Sequence, residues 1–359
     1  MKYISALTGL IALVFAGIAT GTPVLPGLTF ESYASIPDPV RLTFDPSGVL
    51  YTGADVGDSR GPDRIYRVGV GGTPVEKYGA DIGDPDAVLF DGSGIISGTP
   101  GSVLVGGYWD GAGGIAAIRP DQSVVSLFHG GFANPTDMDF MPNGSMIFTD
   151  FDLKSVFVTD GGSPIELFTL AAGGRFRGID PQTGNIFTGC ADGVIRVHAA
   201  SGELVDNSYL SGLGGVHSLA FGQGGAWGTD LYILAGGDLY RYDRDRNGTQ
   251  IGTGFSDTVW DIAFGPDNAL YVSDDGNGTI WRSVPEPGSG LAMLLGVGLL
   301  CARRRGAPKR GPSDAAPTTH RVASLLVLFV MSSAAGLSQA AITANFDGAI
   351  GDGYPGTAG

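Results

Sequence analysis

From residue 28 onward, apolar and polar positions alternate over short runs of three to nine residues, separated by turns rich in Pro, Asp, Asn and Gly. Period-two alternation of this kind predicts β-strands, and no stretch of the body sustains the 3.6-residue spacing of an amphipathic helix. The runs fall into a four-part unit. A first strand ends in Phe or its equivalent: Arg41–Phe44, Ala87–Phe90, Asp137–Phe140, Arg177–Asp180, Ser218–Phe221 and Asp261–Phe264. A tight turn such as Asp45-Pro-Ser-Gly48 or Met141-Pro-Asn-Gly144 follows, then a second strand such as Leu50–Thr52 or Met146–Thr149. A third strand (Ile65–Val68, Val156–Val158, Ile280–Arg282) and a more polar fourth (Val75–Tyr78, Ile165–Phe168) complete it.

The unit repeats about every 40–50 residues, the spacing of four-stranded propeller blades. Six first, six second and six third strands are present, but only five fourth strands follow them. The sixth unit stops at Arg282–Ser283. Leu28–Ala34 matches the fourth-strand pattern and precedes the first unit, so this strand is expected to complete the last blade and close the ring. The expected fold is an all-β, six-bladed β-propeller over residues 28–283, closed by an N-terminal strand and flanked by a signal peptide and a C-terminal apolar anchor.

The flanks read differently. Residues 1–21 carry Lys2, an apolar run over Ile4–Ile18 and small residues at Ala19–Gly21, the arrangement of a secretory signal peptide. After the propeller comes Val284, then Pro285, Glu286 and Pro287, a charge-free apolar run over Gly288–Ala302, and Arg303, Arg304 and Arg305. Arginines after such a run hold that end on the cytoplasmic side. The run is short of the roughly 20 residues that span a bilayer comfortably, which suits transient membrane insertion. Residues 306–319 form a Pro/Ala linker. Residues 320–359 repeat the signal-peptide pattern, with an apolar run over Val322–Met331 and small residues at Ser338–Ala341, as though a downstream reading frame had been joined.

Composition sharpens the address. Lys and Arg number 21 against 36 Asp and Glu, and seven of the basic but only three of the acidic residues lie outside residues 22–287. So acidic a body argues against nucleic acid as a partner. The cysteines are Cys190 and Cys301, and the second lies in the tail, so neither an internal disulfide nor a multi-cysteine metal site is available to the body.

The run Asp261-Ile-Ala-Phe-Gly-Pro-Asp-Asn-Ala-Leu-Tyr-Val-Ser-Asp-Asp-Gly-Asn-Gly-Thr-Ile-Trp-Arg282 resembles blades of the NHL-repeat and gluconolactonase-like six-bladed propellers. The Pro-Glu-Pro, apolar and Arg-Arg-Arg tail resembles the PEP-CTERM sorting signal of Gram-negative bacteria. That resemblance implies export, processing by an exosortase-type enzyme and a place at the cell surface.

Propellers bind ligands where the loops before first strands meet those joining second and third strands. The first group supplies Arg41, Asp86, Asp137, Arg177, His217 with Ser218, and Asp261. The second supplies Asp55, Asp58, Tyr108, Trp109, Asp110, Asp150, Asp152, Asp192, Asp274 and Asp275. Carboxylates converging from several blades suit a hard cation such as Ca²⁺, with Asp86, Asp137 and Asp261 as candidate ligands. Asp is also common at strand ends because it caps turns. The lactonase resemblance implies a divalent metal held by Glu, Asn and Asp at these starts. None of the six aligned positions is Glu or Asn here, although Asn134 lies three residues before Asp137. Quinone-dependent sugar dehydrogenases of this fold use a His at the mouth, for which His217, with Arg177, is the candidate. Asp243-Arg-Asp-Arg-Asn-Gly248 resembles the start of a calcium loop, but Ile251 and Gly254 stand where its later ligands belong, so a hairpin turn is expected. The leading expectation is an exported, surface-sorted binding or scaffold module for an extracellular polysaccharide or protein. A metal-dependent lactonase-type hydrolase is the alternative, and a quinone-dependent dehydrogenase the third.

Overall fold

The computed structural model describes residues 24–25, 28–56 and 63–285. The signal-peptide reading of residues 1–21, Asp58 and the tail beyond Pro285 lie outside them. Among the described residues no helix is long and apolar enough to cross a membrane.

Six antiparallel sheets follow one another along the chain. Blade 1 comprises Pro39–Phe44, Leu50–Ala54, Arg64–Val68 and Val75–Tyr78. Blade 2 comprises Ala87–Asp91, Ser102–Trp109, Ala112–Ile118 and Val124–Phe132. Blades 3, 4 and 5 begin at Pro135–Phe140, Gly174–Ile179 and Val216–Phe221. Each first strand lies against the first strand of the next blade, and that of blade 6, Val259–Phe264, returns to that of blade 1. The ring is therefore closed.

Closure uses the predicted strand. Leu28–Ser35 pairs antiparallel with Thr279–Pro285, in a register running from Leu28 opposite Pro285 to Ser35 opposite Thr279. Val284 and Pro285, read from sequence as the start of the tail, are thus the end of the last blade strand. A short strand at Val24–Leu25, which the sequence did not suggest, adds a fifth to this sheet.

Burial explains the composition of each strand type. Second strands such as Leu50–Ala54, Met146–Asp150 and Leu270–Asp274 are buried throughout, because a neighbouring blade covers both faces. Fourth strands such as Ile165–Thr169 form the outer edge and are largely exposed. The core consists of six clusters, one per seam. Blades 6 and 1 meet through Leu42, Leu50, Tyr271 and Ile280, and blades 5 and 6 through Tyr232, Leu234, Phe264 and Val272. Burying one such side chain contributes about 1.5–3 kcal/mol.

Candidate functional site

The innermost strands place one residue each at the same distance before their terminal Phe or its equivalent: Arg41, Ala87, Asp137, Arg177, Ser218 and Asp261. In five of the six blades a β-bulge precedes or includes this position; blade 2 has none. Bulges at strand starts re-aim side chains. Three of these residues from different blades meet. Arg41 Nη1 donates to Asp261 Oδ1 at 2.6 Å, its Nε lies 3.7 Å from Asp137 Oδ1, and it donates to the carbonyl of Thr136 at 3.3 Å. Asp261 also accepts from Ser218 Oγ at 2.7 Å and from the Leu42 amide at 2.9 Å.

Arg41, Asp137 and Asp261 are all buried. Burial pushes the Asp261 carboxyl above its ordinary value, with Arg41 and the Ser218 and Leu42 donors pulling it back. An enclosed charge needs this kind of pairing, and here it ties blades 6, 1 and 3 together across the axis. Interlocking continues around the ring: Thr43 Oγ1 accepts from the Phe90 amide, and Ser218 Oγ from that of Ile262. Each of these inner strands thus supplies a side chain to the free edge of the next.

Asp86 goes elsewhere. It lies one position earlier than Asp137 and Asp261 relative to the terminal Phe, and strand side chains alternate in direction. Instead of joining the axial cluster it stands with Asp55 and Asp84, each offering an oxygen within 4.8 Å of the others. Asp55 follows the second strand of blade 1, and the other two precede the first strand of blade 2. All three therefore sit on the face made by the loops before first strands and between second and third strands, the loop face. The Asp84 loop is fixed from both sides. Its amide donates to Asp63 Oδ2 at 3.2 Å, and its carbonyl accepts from the Tyr108 amide at 3.3 Å. Gly107 permits that approach, since a Cβ there would collide with the Asp84 carbonyl. Asp84 was missed in the sequence because it falls outside the strand-start pattern, although Asp84-Pro-Asp86 on its own is a visible signal.

A groove of about 430 Å³ adjoins the trio through Asp84, with Tyr108, Phe132, Asn134 and Asp152 in its walls. Asn134 Oδ1 is buried without a hydrogen-bond partner. Trp109 stands at the end of a strand that runs further than the sequence suggested, so Tyr108 and Trp109 belong to a long hairpin rather than a loop. The Trp109 ring stacks on His129, centroids 5.8 Å apart at 23°, and His129 Nε2 lies 3.1 Å from the Trp109 carbonyl. His217 is half-buried at the start of the blade 5 first strand. The side chain of Arg177 lies outside the described residues.

Other carboxylates expected near this face are spent on local structure. Asp150 accepts from the amides of Ala133, Asn134 and Leu153. Asp274 accepts from Asn277 Nδ2 at 2.7 Å and Trp281 Nε1 at 3.0 Å. Asp192 holds Arg196 through both oxygens. Asp243–Gly248 is the expected hairpin turn: Asp243 accepts from the amides of Asp245 and Asn247, while Arg244 grips Asp180 of blade 4 at 2.5 and 2.9 Å. Cys190 is buried, and burial pushes its thiol up, so it packs rather than reacts.

The central channel is open on the side away from the loop face. A cavity of about 700 Å³ runs from Arg41, Asp137 and Asp261 along the inner strands to Pro181, Gln182, Gln223 and Thr229, in the turns joining first and second strands. These turns form the turn face.

No known protein family and no curated protein matches the sequence. Solved structures do. A gluconolactonase from Xanthomonas campestris superposes with a TM-score of 0.56 at 15% identity, over 74% of this chain and 95% of that one. An oxidoreductase described as a glucose dehydrogenase, from Thermus thermophilus, gives 0.55 at 17%, over 72% and 100%. Virginiamycin B lyase from Staphylococcus aureus gives 0.52 at 14%, over 72% and 99%. Three chemistries share this architecture, so the likeness establishes the six-bladed propeller and leaves the reaction to the site.

Proposed function

We propose that the chain is a divalent-cation-dependent hydrolase of the lactonase type, working on the loop face. The observation that carries this reading is the trio Asp55, Asp84 and Asp86, whose oxygens lie within 4.8 Å of one another. Clustered anionic oxygens fit Ca²⁺ or Mg²⁺. The set differs from the Glu, Asn and Asp implied by the lactonase resemblance. Asn134, the residue nearest that pattern, lines the adjoining groove. A cation held by the trio would polarise an ester carbonyl and make a bound water more acidic. The chain's own residues do the rest. Asp63 and the Tyr108 amide hold the Asp84 loop in place, and Tyr108, Phe132 and Asn134 wall the groove.

Calorimetric Ca²⁺ titration together with hydrolysis of a sugar δ-lactone tests this reading. Cation binding should raise the melting temperature, EDTA should abolish turnover, and Asp86→Asn should weaken cation binding about tenfold or more. Absence of binding at millimolar Ca²⁺, or turnover indifferent to EDTA, overturns the reading in favour of a binding or scaffold module for an extracellular polysaccharide or protein.

The address belongs to the same proposal. The N-terminal apolar run directs export, and Pro285-Glu286-Pro287 with the arginine-ended apolar run directs transient inner-membrane anchoring, exosortase-type processing and release to the cell surface. Mass spectrometry of the native protein checks it. A mature chain lacking residues 1–21 and everything after the Pro-Glu-Pro region is expected. Peptides from Phe346–Gly359 joined to the propeller would refute both the processing and the fused reading frame.

A further inference from the structure

We infer that the seam where the ring closes, between blades 6 and 1, holds a further ligand site on the turn face. Its ligand is a small, neutral, indole-type molecule with a ring N–H. The groove there measures about 480 Å³, within the range of small-molecule sites. Its apolar walls are open to an occupant: Pro46, Val70 and Pro266 are exposed, Val70 by 66%, and Tyr33 and Phe44 are half-buried. The buried Tyr271 completes the aromatic lining, edge-on to Tyr33 with centroids 5.0 Å apart and tilted against Phe44 at 4.8 Å.

The neighbouring seam shows what such a groove accommodates. Between blades 5 and 6, Tyr232 and Phe264 hold the positions of Tyr271 and Phe44. Each tyrosine pairs with an arginine of the third strand, Arg241 or Arg282, and each phenylalanine ends a first strand. The blade 5 segment Gly222–Asp230, longer than the usual tight turn, lays Trp227 on that pair. The indole meets Tyr232 edge-on at 5.5 Å and Phe264 at 5.3 Å, and its Nε1 donates to the Asn268 carbonyl at 2.8 Å. Gly48 is the counterpart of Asn268 and lines the open groove. Each stands two residues after a proline, at positive φ, and donates its amide to the carbonyl of the residue before that proline. The matching blade 6 turn, Gly265 to Ala269, is short, and none of the chain's four tryptophans lines the groove. Phe264 is accordingly buried, whereas Phe44 is only half-buried.

Charge does not select the ligand, because the polar side chains of the lining are engaged within the protein. Arg282 bridges Glu31 at 2.9 Å and Asp267 at 2.8 Å, and the Tyr271 hydroxyl donates to Asp267. The Tyr33 hydroxyl donates to the Gly69 carbonyl, and Ser47 Oγ to Asp45. Selection falls to shape and to the Gly48 carbonyl. A planar ring gains edge-to-face contact and releases water from the apolar walls. A ring N–H would satisfy that carbonyl as Trp227 satisfies the carbonyl of Asn268. The lining comes from the closing strand, blade 6 and blade 1, so an occupant also bridges the two ends of the ring.

The full-length protein is titrated with indole, 1-methylindole and cyclohexanol by calorimetry and ligand-detected NMR. Indole should bind saturably with a Kd of about 1 mM or below. 1-Methylindole, which lacks the N–H, should bind about fivefold more weakly. Cyclohexanol, neither planar nor aromatic, should not bind. Val70→Trp, an exposed substitution that supplies an indole at the groove, should abolish binding without lowering the melting temperature. Ser47→Trp, also exposed, should do the same from the adjacent turn. EDTA should change nothing, which separates this site from the carboxylate trio, so that either reading can fail alone. The inference is overturned if indole does not saturate at millimolar concentration, or if 1-methylindole or cyclohexanol binds as tightly. It is equally overturned if either folded tryptophan variant still binds indole, or if EDTA removes binding.

Discussion

A single position of strand phase separates two carboxylate clusters in this protein. Asp137 and Asp261 stand three residues before their terminal Phe and meet on Arg41; Asp86 stands four before its own and joins Asp55 and Asp84. The sequence shows that all three carboxylates lie near first-strand starts, and the alternation rule was available to divide them. The bulges were not legible, because their register shifts depend on cross-strand pairing. Arg41 carries most of the consequence. Replacing it with Met keeps the volume and leaves Asp137 and Asp261 enclosed without their guanidinium. Urea unfolding should show Arg41→Met destabilised by about 3–5 kcal/mol, the usual result of orphaning a buried charge. A loss under about 1 kcal/mol would mean that Asp261, whose carboxyl burial already pushes up, is protonated in the native ring.

Among elements, the second strands were the easiest to read, since burial on both faces demands unbroken apolar runs such as Leu231–Ala235. Closure by Leu28–Ser35 was legible as a missing strand at one end of the chain and a spare one at the other. Two elements escaped. The blade 2 hairpin extends to Trp109 through Gly106 and Gly107, which pair with Ile115 and Gly114, and glycine in a sequence reads as a break, not as a strand. The blade 5 turn was likewise hidden, because Gly222-Gln-Gly-Gly225 resembles a loose loop. Its order comes from Trp227 seated between Tyr232 and Phe264, a contact distant from any local signal. Both elements shape concavities, the first as a wall of the groove beside the carboxylate trio and the second as part of the lining of the axial cavity.

Across the whole molecule, the Arg41 cluster marks the inner end of the cavity, with the carboxylate trio on the loop face and the cavity mouth on the turn face. The central cavity of about 700 Å³ opens on the side that sequence reasoning left unconsidered, because strand-start residues are conspicuous in a repeat while channel shape emerges only from six blades together. Chain entrance and exit also share the turn face, since Leu28 pairs with Pro285. That pairing gives the ring a direction of mechanical weakness. Tension between the two ends loads the closing strands at their joined tips and peels them apart one backbone pair at a time, towards Ser35 and Thr279. Tension between Pro285 and a point on the loop face of the same blade, such as Ser256, instead loads the last strand along its length, so that its bonds resist together. Single-molecule pulling should find the first geometry markedly weaker, and equal rupture forces would refute this account. A propeller tethered through its tail and loaded on its loop face would be held the strong way round.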